Sequence, residues 1–358
     1  MANYAFIVAI NEYPALTKLN TLKGAVADAV DFAEWALDQN GGNVDQANFQ
    51  FWTDDVPDGC GPLLHAALQN RPPWPAEITP DLNQPPNSNR IIDCAKALAE
   101  QARESAGDAR LYLFFAGHGV RVNDRSYERD PQNCFVASNY EPGSSRGLVP
   151  LGDLLRMLEW HGPEEIIIFQ DCCRSDMPFN QDAPKLGLNI YNPHEVNRQW
   201  VSGNAARGNG TAFEVPHAAP ARGAYTKILV QALRQFRPAG GLRASALRGF
   251  LSNGVTQLVK PKEQQTELKM RSDEDDCILI DGPVIGAHPI VHIEVESAIS
   301  DGHIALLDQD RKPVFRFPAS DGAGEIQVPV GRYEIAHEES GKSTQLFHVG
   351  PEVTNVSI

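Results

Sequence analysis

The chain has 358 residues, of which 42% are hydrophobic and 22% are charged, and its formal net charge is -15. These values are typical of a globular protein with one large domain or two domains. The acidic balance argues against binding to nucleic acid phosphates and to anionic membrane surfaces.

The first half of the predicted fold alternates strands with helices. The predicted elements before the first long strand are a strand over 4–10, a helix over 22–37, a strand over 48–53, a short helix near 63–68 within a proline-rich loop, and a helix over 91–102. This alternation predicts a mainly parallel sheet with helices on both faces.

Two apolar runs end in residues that carry chemistry. The run over 111–115 ends in Gly117-His118-Gly119, and the run over 166–169 ends in Asp171-Cys172-Cys173. If both runs are parallel strands of one sheet, their ends meet at the same carboxyl edge, where open α/β sheets build their sites. A cysteine beside a histidine provides a thiolate nucleophile at neutral pH. The pattern therefore predicts a cysteine peptidase.

The second half of the chain is predicted to complete this sheet and then to change from alternating strands and helices to short strands alone. Its predicted elements are a loop or hairpin over 120–131, a strand over 134–138, a helix over 151–158, a long loop over 175–199, a strand over 200–206, helices over 225–236 and 244–259, and a last strand over 277–280 that closes the sheet. After Pro283, six short runs separated by turn residues predict a small all-β, sandwich-like module. The predicted domains are therefore 1–282 and 283–358.

Cysteine usage and the first residues bear on location. The six cysteines are spread over the chain and do not resemble a disulfide framework, the start lacks the features of a signal peptide, and no apolar stretch is long enough to span a bilayer. We therefore expect a cytoplasmic protein without membrane or nucleic acid partners.

Five motifs in the same order resemble the caspase-like peptidases, in particular the metacaspase and bacterial orthocaspase branch, over about residues 3–282. They are Phe6-Ile7-Val8-Ala9-Ile10-Asn11-Glu12-Tyr13, Leu22-Lys23-Gly24-Ala25-Val26-Ala27-Asp28-Ala29, Phe115-Ala116-Gly117-His118-Gly119, Asp171-Cys172-Cys173-Arg174-Ser175 and Arg222-Gly223-Ala224-Tyr225-Thr226. The spacing of 55 residues between His118 and Cys173 agrees with caspase-type enzymes. The chain departs from the family in having Ser175 where glycine is common and Cys172 where metacaspases often have serine.

The resemblance implies a six-stranded caspase-like sheet and a Cys-His dyad. His118 and Cys173 are the expected catalytic residues, and the backbone N–H groups of Gly119 and Cys173 are the expected oxyanion donors. Cys172 is the rival nucleophile, since side chains alternate at a strand end and only one of the two thiols can face His118. The family's acid-x-Cys register favours Cys173. No third member of a triad is evident.

Substrate preference is predicted from acids near the motifs. Leu22 stands where an Asp-specific caspase would carry an arginine, whereas Asp28 and Asp171 match the pocket acids of metacaspases, and Glu214 is a further candidate. A carboxylate pair in a narrow pocket selects Arg or Lys before the scissile bond. Each acid also has a plain interpretation as a solvated charge, and Lys23 nearby weakens the electrostatic argument.

Two features of the sequence concern regulation: a long loop after the cysteine motif and two acidic clusters. Related zymogens are cut between the cysteine strand and the next strand, which makes Lys185 and Arg198 candidate autoprocessing sites. The acidic clusters Asp54-Asp55 and Asp273-Glu274-Asp275-Asp276 raise the option of Ca²⁺ activation, but neither has the ligand spacing of a dedicated calcium loop. Apart from this option, no cofactor and no metal site is expected.

The leading hypothesis is therefore a cysteine endopeptidase acting on protein or peptide substrates, with a C-terminal β module that restrains it or recruits a regulatory protein. Two alternatives stay open: a catalytically silent caspase-like scaffold, and an enzyme that uses the same dyad on amides other than proteins. Bacterial relatives act in stress, cell death or defence, which is an association only.

Overall fold

The structure is a computed structural model that describes most of the chain. The described residues are 1–14, 21–55, 60–70, 85–105, 107–124, 129–173, 175–176, 198–208, 210–215, 221–272, 276–284, 288–296, 299, 301–348 and 354–358. Within these ranges, no helix combines the length and the apolar character needed to cross a lipid bilayer.

Six α-helices are found in the described residues. They are α1 (Ala25–Leu37), α2 (Pro62–Gln69), α3 (Ser88–Glu104), α4 (Leu151–His161), α5 (Ala224–Gln235) and α6 (Ala244–Leu258).

Twelve strands of the described chain precede residue 283. They are β1 (Ala2–Ala9), β2 (Phe49–Thr53), β3 (Ala109–Gly117), β4 (Gly119–Asp124), β5 (Arg129–Val136), β6 (Leu148–Pro150), β7 (Glu165–Cys172), β8 (Ser175–Asp176), β9 (Gln199–Asn204), β10 (Gly241–Arg243), β11 (Glu267–Met270) and β12 (Ile278–Asp281).

The central sheet has six strands in the order β11-β9-β7-β3-β1-β2. The neighbours from β2 to β9 pair in parallel, and only β11 runs antiparallel, at the edge next to β9. Helix residues pack on both faces of this sheet. The predicted six-stranded, mainly parallel α/β architecture is confirmed.

Strand β3 lies at the centre of the sheet and separates two hydrophobic cores. All nine of its residues are buried. Tyr112 and Phe114 pack in the core that contains α1, α5 and α6, whereas Leu111, Leu113 and Phe115 pack in the core that contains α3 and α4. Alternate side chains point to opposite faces of a strand, so a strand covered on both sides reads as a continuous apolar run.

The prediction that 277–280 closes the sheet is wrong. Strand β12 pairs with β10 in a separate two-stranded antiparallel sheet, and the sixth strand of the central sheet is β11. The Glu267–Met270 segment alternates polar and apolar residues, as an edge strand with one exposed side does. Its charged residues made it less conspicuous in the sequence than the apolar run at 277–280.

A second sheet lies at the carboxyl edge of the central one. Its order is β6-β5-β4-β8, and β4 and β5 form an antiparallel hairpin over the segment predicted as a loop or hairpin. Strand β4 begins directly after His118, and β8 begins two residues after Cys173. After the histidine motif and after the cysteine motif, the chain therefore continues as a strand of this second sheet.

The C-terminal residues form two further sheets. Their strands are β13 (Ile290–Glu294), β14 (His303–Leu307), β15 (Pro313–Pro318), β16 (Ala323–Gln327), β17 (Gly331–His337), β18 (Ser343–His348) and β19 (Thr354–Ser357). The orders are β16-β13-β19 and β15-β14-β17-β18, and residues of both sheets share one buried core. Val330 instead packs in the core of the central sheet, which joins the two regions. The boundary at 282/283 stays a prediction.

Candidate active site

The backbone register places His118 and Cys173 opposite each other. In the pairing of β3 with β7, Gly117 faces Cys172, and in the pairing of β4 with β8, Val120 faces Ser175. Both pairs are 55 residues apart in the sequence, so the two strands keep one register on either side of the motif. His118 and Cys173 occupy the facing positions just beyond the central sheet, at its carboxyl edge.

The two adjacent cysteines point to different surroundings. Cys172 is buried in the core beneath α3 and α4, where its Sγ donates to the Phe115 carbonyl at 3.7 Å. Cys173 is only half-buried, and its Sγ donates to the Ala212 carbonyl at 3.6 Å. Cys173 is therefore the thiol that faces the 210–215 segment. Burial, with a smaller effect of the Asp171 charge, raises the pKa of the Cys173 thiol.

Tyr13 contacts His118 through both its hydroxyl and its ring. The His118 backbone N–H donates to the Tyr13 hydroxyl oxygen at 2.8 Å. The centroids of the phenol and imidazole rings are 4.7 Å apart, with the planes tilted by 48°.

Gly119 and Cys173, the predicted oxyanion donors, are close neighbours. A Cβ added to Gly119 would lie 2.3 Å from the Cys173 carbonyl oxygen and 2.7 Å from the Cys172 Cβ. No side chain fits between these two backbones. Glycine at this position therefore allows the histidine and cysteine motifs to approach each other.

Two buried carboxylates converge on Gly223, which precedes α5. Asp28 of α1 accepts from the Gly223 N–H with both oxygens, at 2.9 and 3.0 Å. Asp171 accepts from the backbone N–H and the hydroxyl of Thr226, at 3.1 and 2.6 Å. Asp28 is 3% exposed and Asp171 is 8% exposed. Both acids are satisfied by the start of α5, which fixes their positions.

The local electrostatics oppose ionisation of this pair. Burial raises the pKa of Asp171 to about 6, and the charge of Glu214 adds to the rise while the Thr226 hydrogen bonds oppose it. Burial and then the charge of Asp171 raise the pKa of Asp28 well above its ordinary value. Arg222 lies nearby, but its guanidinium pairs with Asp31 at 2.6 Å.

Glu214 lies beside the pair but is exposed. It forms an antiparallel bridge with Gly223, and its carboxylate accepts from the backbone N–H of Lys23 at 3.1 Å. The structure thus brings together the three acids Asp28, Asp171 and Glu214, which come from three distant parts of the chain. The Lys23 contact involves its backbone.

The model of the caspase domain family matches residues 2–280. This chain belongs to the caspase family. The predicted resemblance to caspase-like peptidases is confirmed, and the matched range ends before the two C-terminal sheets begin.

Relatives of this caspase-family chain are distant. A probable protease from a Desulfuromonadales bacterium is 24% identical over 240 residues, which cover 65% of this chain and 26% of that protein. The chain thus spans about a quarter of the length of this curated relative.

Two solved structures show similarity at low identity. A protein from Geobacter sulfurreducens is 13% identical with a TM-score of 0.48, over 79% of this chain and 98% of that one. Caspase-1 from Spodoptera frugiperda is 11% identical with a TM-score of 0.41, over 75% of this chain and 85% of that one.

Sequence reasoning missed several residues that shape the site of this caspase-family member. Thr226 holds Asp171, and Tyr13 contacts His118. Gln264 is buried and joins two segments: its side chain accepts from the Phe213 N–H and donates to the Ala205 carbonyl, both at 2.9 Å. Gln264 comes from a polar stretch typical of a surface loop, and nothing in its pattern indicates this role.

Of the two predicted autoprocessing residues, Arg198 lies within the described part of the chain. Lys185 lies outside the described residues. Arg198 is half-buried and immediately precedes β9, at the amino end of the sheet, opposite the edge that carries His118 and Cys173. Its carbonyl accepts from the Arg271 guanidinium at 2.9 Å.

Asp54 and Asp276, one acid from each candidate calcium cluster, accept hydrogen bonds from nearby residues. Asp54 accepts from the N–H groups of Asn11 and Glu12, at 2.9 and 2.5 Å. Asp276 accepts from the N–H and hydroxyl of Ser245 in the first turn of α6. Residues 273–275 lie outside the described part of the chain. Calcium activation stays a prediction.

Proposed function

We propose that this caspase-family chain is a cysteine endopeptidase in which Cys173 is the nucleophile and His118 its acid–base partner. The observation that carries the proposal is the shared register of β3–β4 with β7–β8, which sets these two residues side by side at the carboxyl edge. The different surroundings of the two thiols support Cys173 over Cys172.

The chemistry follows from these groups. His118 takes the thiol proton, and the thiolate sulfur attacks the carbonyl carbon of the scissile bond to give a tetrahedral oxyanion. Backbone N–H groups of Gly119 and Cys173 stabilise that charge. The C–N bond then breaks as the imidazolium protonates the leaving amine, which leaves a thioester. Water, deprotonated by His118, hydrolyses the thioester and restores the thiol.

In the resting enzyme the Cys173 proton is held by a backbone carbonyl. Burial raises the pKa of the Cys173 thiol, which favours the neutral form, and the Sγ donates to the Ala212 carbonyl at 3.6 Å. We therefore expect that substrate binding along the 210–215 segment frees the thiol for His118. This coupling would limit adventitious alkylation of the unoccupied enzyme.

We propose cleavage after Arg or Lys. The convergence of Asp28, Asp171 and Glu214 supports this preference, because the hydrogen bonds from the start of α5 hold the two buried carboxylates without neutralising them, and a bound cation would do so. Two buried acids with raised pKa values are unfavourable for folding, and such arrangements cluster at functional sites. The pocket would take a guanidinium by paired hydrogen bonds and an ammonium by charge.

We propose activation by a cut in the 175–199 loop, and of the two candidates Lys185 is favoured. The carbonyl of Arg198 is hydrogen-bonded to Arg271, and Arg198 lies at the edge opposite the dyad, so its bond is poorly placed for cleavage within the molecule. Intact mass after incubation of the wild type and of Lys185→Gln tests this. Full activity in a chain that stays uncut would exclude a required cut.

A panel of fluorogenic peptides that differ only before the scissile bond tests the activity and the preference together. Wild type should turn over the Arg and Lys peptides and leave the Asp and Leu peptides intact. Cys173→Ala and His118→Ala should each lose activity by at least about a thousandfold. Turnover of none of the peptides, with the fold intact, would favour the catalytically silent scaffold instead.

The C-terminal sheets are proposed as the place where a regulatory protein acts. The contact of Val330 with the core of the central sheet supports transmission of a signal between the two regions. The metacaspase and orthocaspase branch, a cytoplasmic location and a role in bacterial defence remain proposals of the same kind.

A further inference from the structure

We infer that Tyr13 is a positioning residue for His118, an inference that rests on the proposed dyad chemistry and extends it. Tyr13 belongs to the turn that follows β1, and the mechanism predicted from the sequence gives it no role. Its role is to hold the imidazole in the orientation that faces Cys173.

The contact acts on His118 from two sides. The hydroxyl accepts the backbone N–H of His118 at 2.8 Å, and the phenol ring lies against the imidazole at a centroid distance of 4.7 Å. The first contact fixes the backbone from which the imidazole projects, and the second limits rotation of the ring. A single side chain thus restrains both ends of the catalytic residue.

The end of β3 is shaped to admit this hydroxyl. Gly117 has a φ of +156°, and a Cβ placed on it would lie 2.4 Å from the Tyr13 hydroxyl oxygen and 2.9 Å from the Phe135 ring. A glycine is therefore needed both for the backbone conformation and for the approach of Tyr13. The glycine before the histidine thus serves the contact as well as the turn.

The hydroxyl stays neutral over the range in which the dyad works. Burial is the main cause that raises the pKa of the Tyr13 hydroxyl well above its ordinary value. The hydrogen bond to His118 is therefore between neutral groups. It can position the imidazole without competing with the thiolate for the imidazolium proton.

The turn that carries Tyr13 is itself anchored. Asp54, just after β2, accepts from the N–H groups of Asn11 and Glu12 at 2.9 and 2.5 Å. On the other side, the Asn11 carbonyl accepts from the Leu22 N–H at 3.1 Å. These hydrogen bonds hold the turn that carries Tyr13. The Asp54 carboxylate, predicted from the sequence as a candidate calcium ligand, thus anchors this turn.

The expected consequences separate this role from a purely structural one. Tyr13→Phe keeps the ring but leaves the His118 N–H without its acceptor. We expect kcat to fall about tenfold with KM changed by less than about twofold, since Tyr13 has no contact with the three acids. Alkylation of Cys173 by iodoacetamide should slow about tenfold at pH 6. The difference should vanish in alkaline buffer above the raised pKa of the thiol, where the thiol ionises without help from the imidazole.

The experiment compares wild type, Tyr13→Phe and Tyr333→Phe, with Cys173 alkylation followed by peptide mass spectrometry. Tyr333 is the matched control because its hydroxyl also bonds to a backbone group, the Pro329 carbonyl at 2.8 Å, in the C-terminal region. It should leave both kcat and the alkylation profile unchanged. Thermal unfolding confirms that each variant is folded.

Wild-type kcat and a wild-type alkylation profile in folded Tyr13→Phe would overturn the inference. If Tyr13→Phe does not fold, Asp54→Asn decides: it should slow alkylation at pH 6 in the same direction, and an unchanged profile would count against the anchored turn. If wild type cleaves no peptide but alkylation still slows in Tyr13→Phe, the positioning role stands and the proposed peptidase activity fails.

Discussion

Asp28 and Asp171 both lie against Gly223, and a Cβ on Gly223 would approach one carboxylate oxygen of each, at 2.7 and 2.1 Å. Two like-charged buried groups this close to one backbone are costly in a folded protein. The proposed role of this pair in binding a basic side chain predicts effects on peptide binding, on its pH dependence and on stability.

Gly223→Ala should disrupt the acid pair. The φ of Gly223 is −66°, which any residue adopts, so the expected effect comes from the collision with the two carboxylates and not from backbone strain. We expect a loss of about 1–3 kcal/mol in stability and at least about tenfold weaker binding of Arg peptides. Calorimetric titration and thermal unfolding measure the two effects.

The matched control is Gly249→Ala on α6. A Cβ there meets nothing within 4 Å, and the residue lies within a helix. It should stabilise the protein by about 0.5–1 kcal/mol and leave peptide binding unchanged. Equal effects of the two variants would remove the argument for a special role of Gly223.

Binding of basic peptides should weaken as the pH falls. Asp171, with a pKa of about 6, is mostly protonated at pH 5, so the pocket loses negative charge on acidification. In Cys173→Ala, the affinity for an Arg peptide should drop about tenfold between pH 7.5 and pH 5. This variant removes the nucleophile, so binding is measured without turnover of the peptide. A flat profile would show that Asp171 does not bind the cation.

Asp171→Asn should increase the stability of the fold and abolish cleavage of basic peptides. The folded-state pKa of about 6 lies above the ordinary value, so the fold binds the proton more tightly than the unfolded chain does. Stability is therefore lost as the pH rises from about 4 through about 6. The amide oxygen can still accept from Thr226. We expect this variant to be about 1–3 kcal/mol more stable than wild type at pH 7.5, to match it near pH 4, and to lose cleavage of basic peptides.

The control for Asp171→Asn is Glu141→Gln, which changes the same charge in an exposed ion pair with Arg146. Its stability should differ from wild type by less than about 1 kcal/mol at either pH. Lower stability of Asp171→Asn at pH 7.5 would mean that the acid is held by interactions stronger than its desolvation.

The two cysteines should respond differently to substitution. Cys172→Ala removes a buried thiol that bonds to Phe115, so we expect about 1 kcal/mol lower stability and activity within about twofold of wild type. Cys173→Ala should keep the stability and lose the activity. The reverse pattern, measured by peptide turnover and thermal unfolding, would make Cys172 the nucleophile.

Gln264→Ala should loosen the segment that holds Ala212 and Glu214. Its side chain makes two hydrogen bonds that fix this segment to the end of β9, and both would be lost. We expect KM for Arg peptides to rise about tenfold with kcat changed less, because the hydrogen bonds of Gln264 go to Phe213 and Ala205 and reach Cys173 only through Ala212. Gln345→Ala, at an exposed position of the C-terminal region, is the control. A fall in kcat alone would contradict this assignment.

The α/β architecture and the place of the candidate site could be predicted from the sequence alone. Two continuous apolar runs predicted strands covered on both faces. Because parallel strands bring their carboxyl ends to one edge, His118 and the two cysteines were expected to lie close together. The same reasoning failed for the sixth strand, because local apolar content favoured 277–280 over the alternating edge strand at Glu267–Met270.

The directions of the side chains and the contacts between distant groups could not be predicted, because they depend on how the elements pack together. Cys172 and Cys173 are adjacent and chemically identical, and packing against Phe115 on one side and Ala212 on the other distinguishes them. The roles of Tyr13, Thr226 and Gln264 depend on hydrogen bonds to residues far away in the chain, which leave no periodic signal. Hydrophobic and turn patterns in a sequence indicate which positions are buried and which backbone conformation is favoured locally. Hydrogen bonds between distant residues arise only when separate elements pack together.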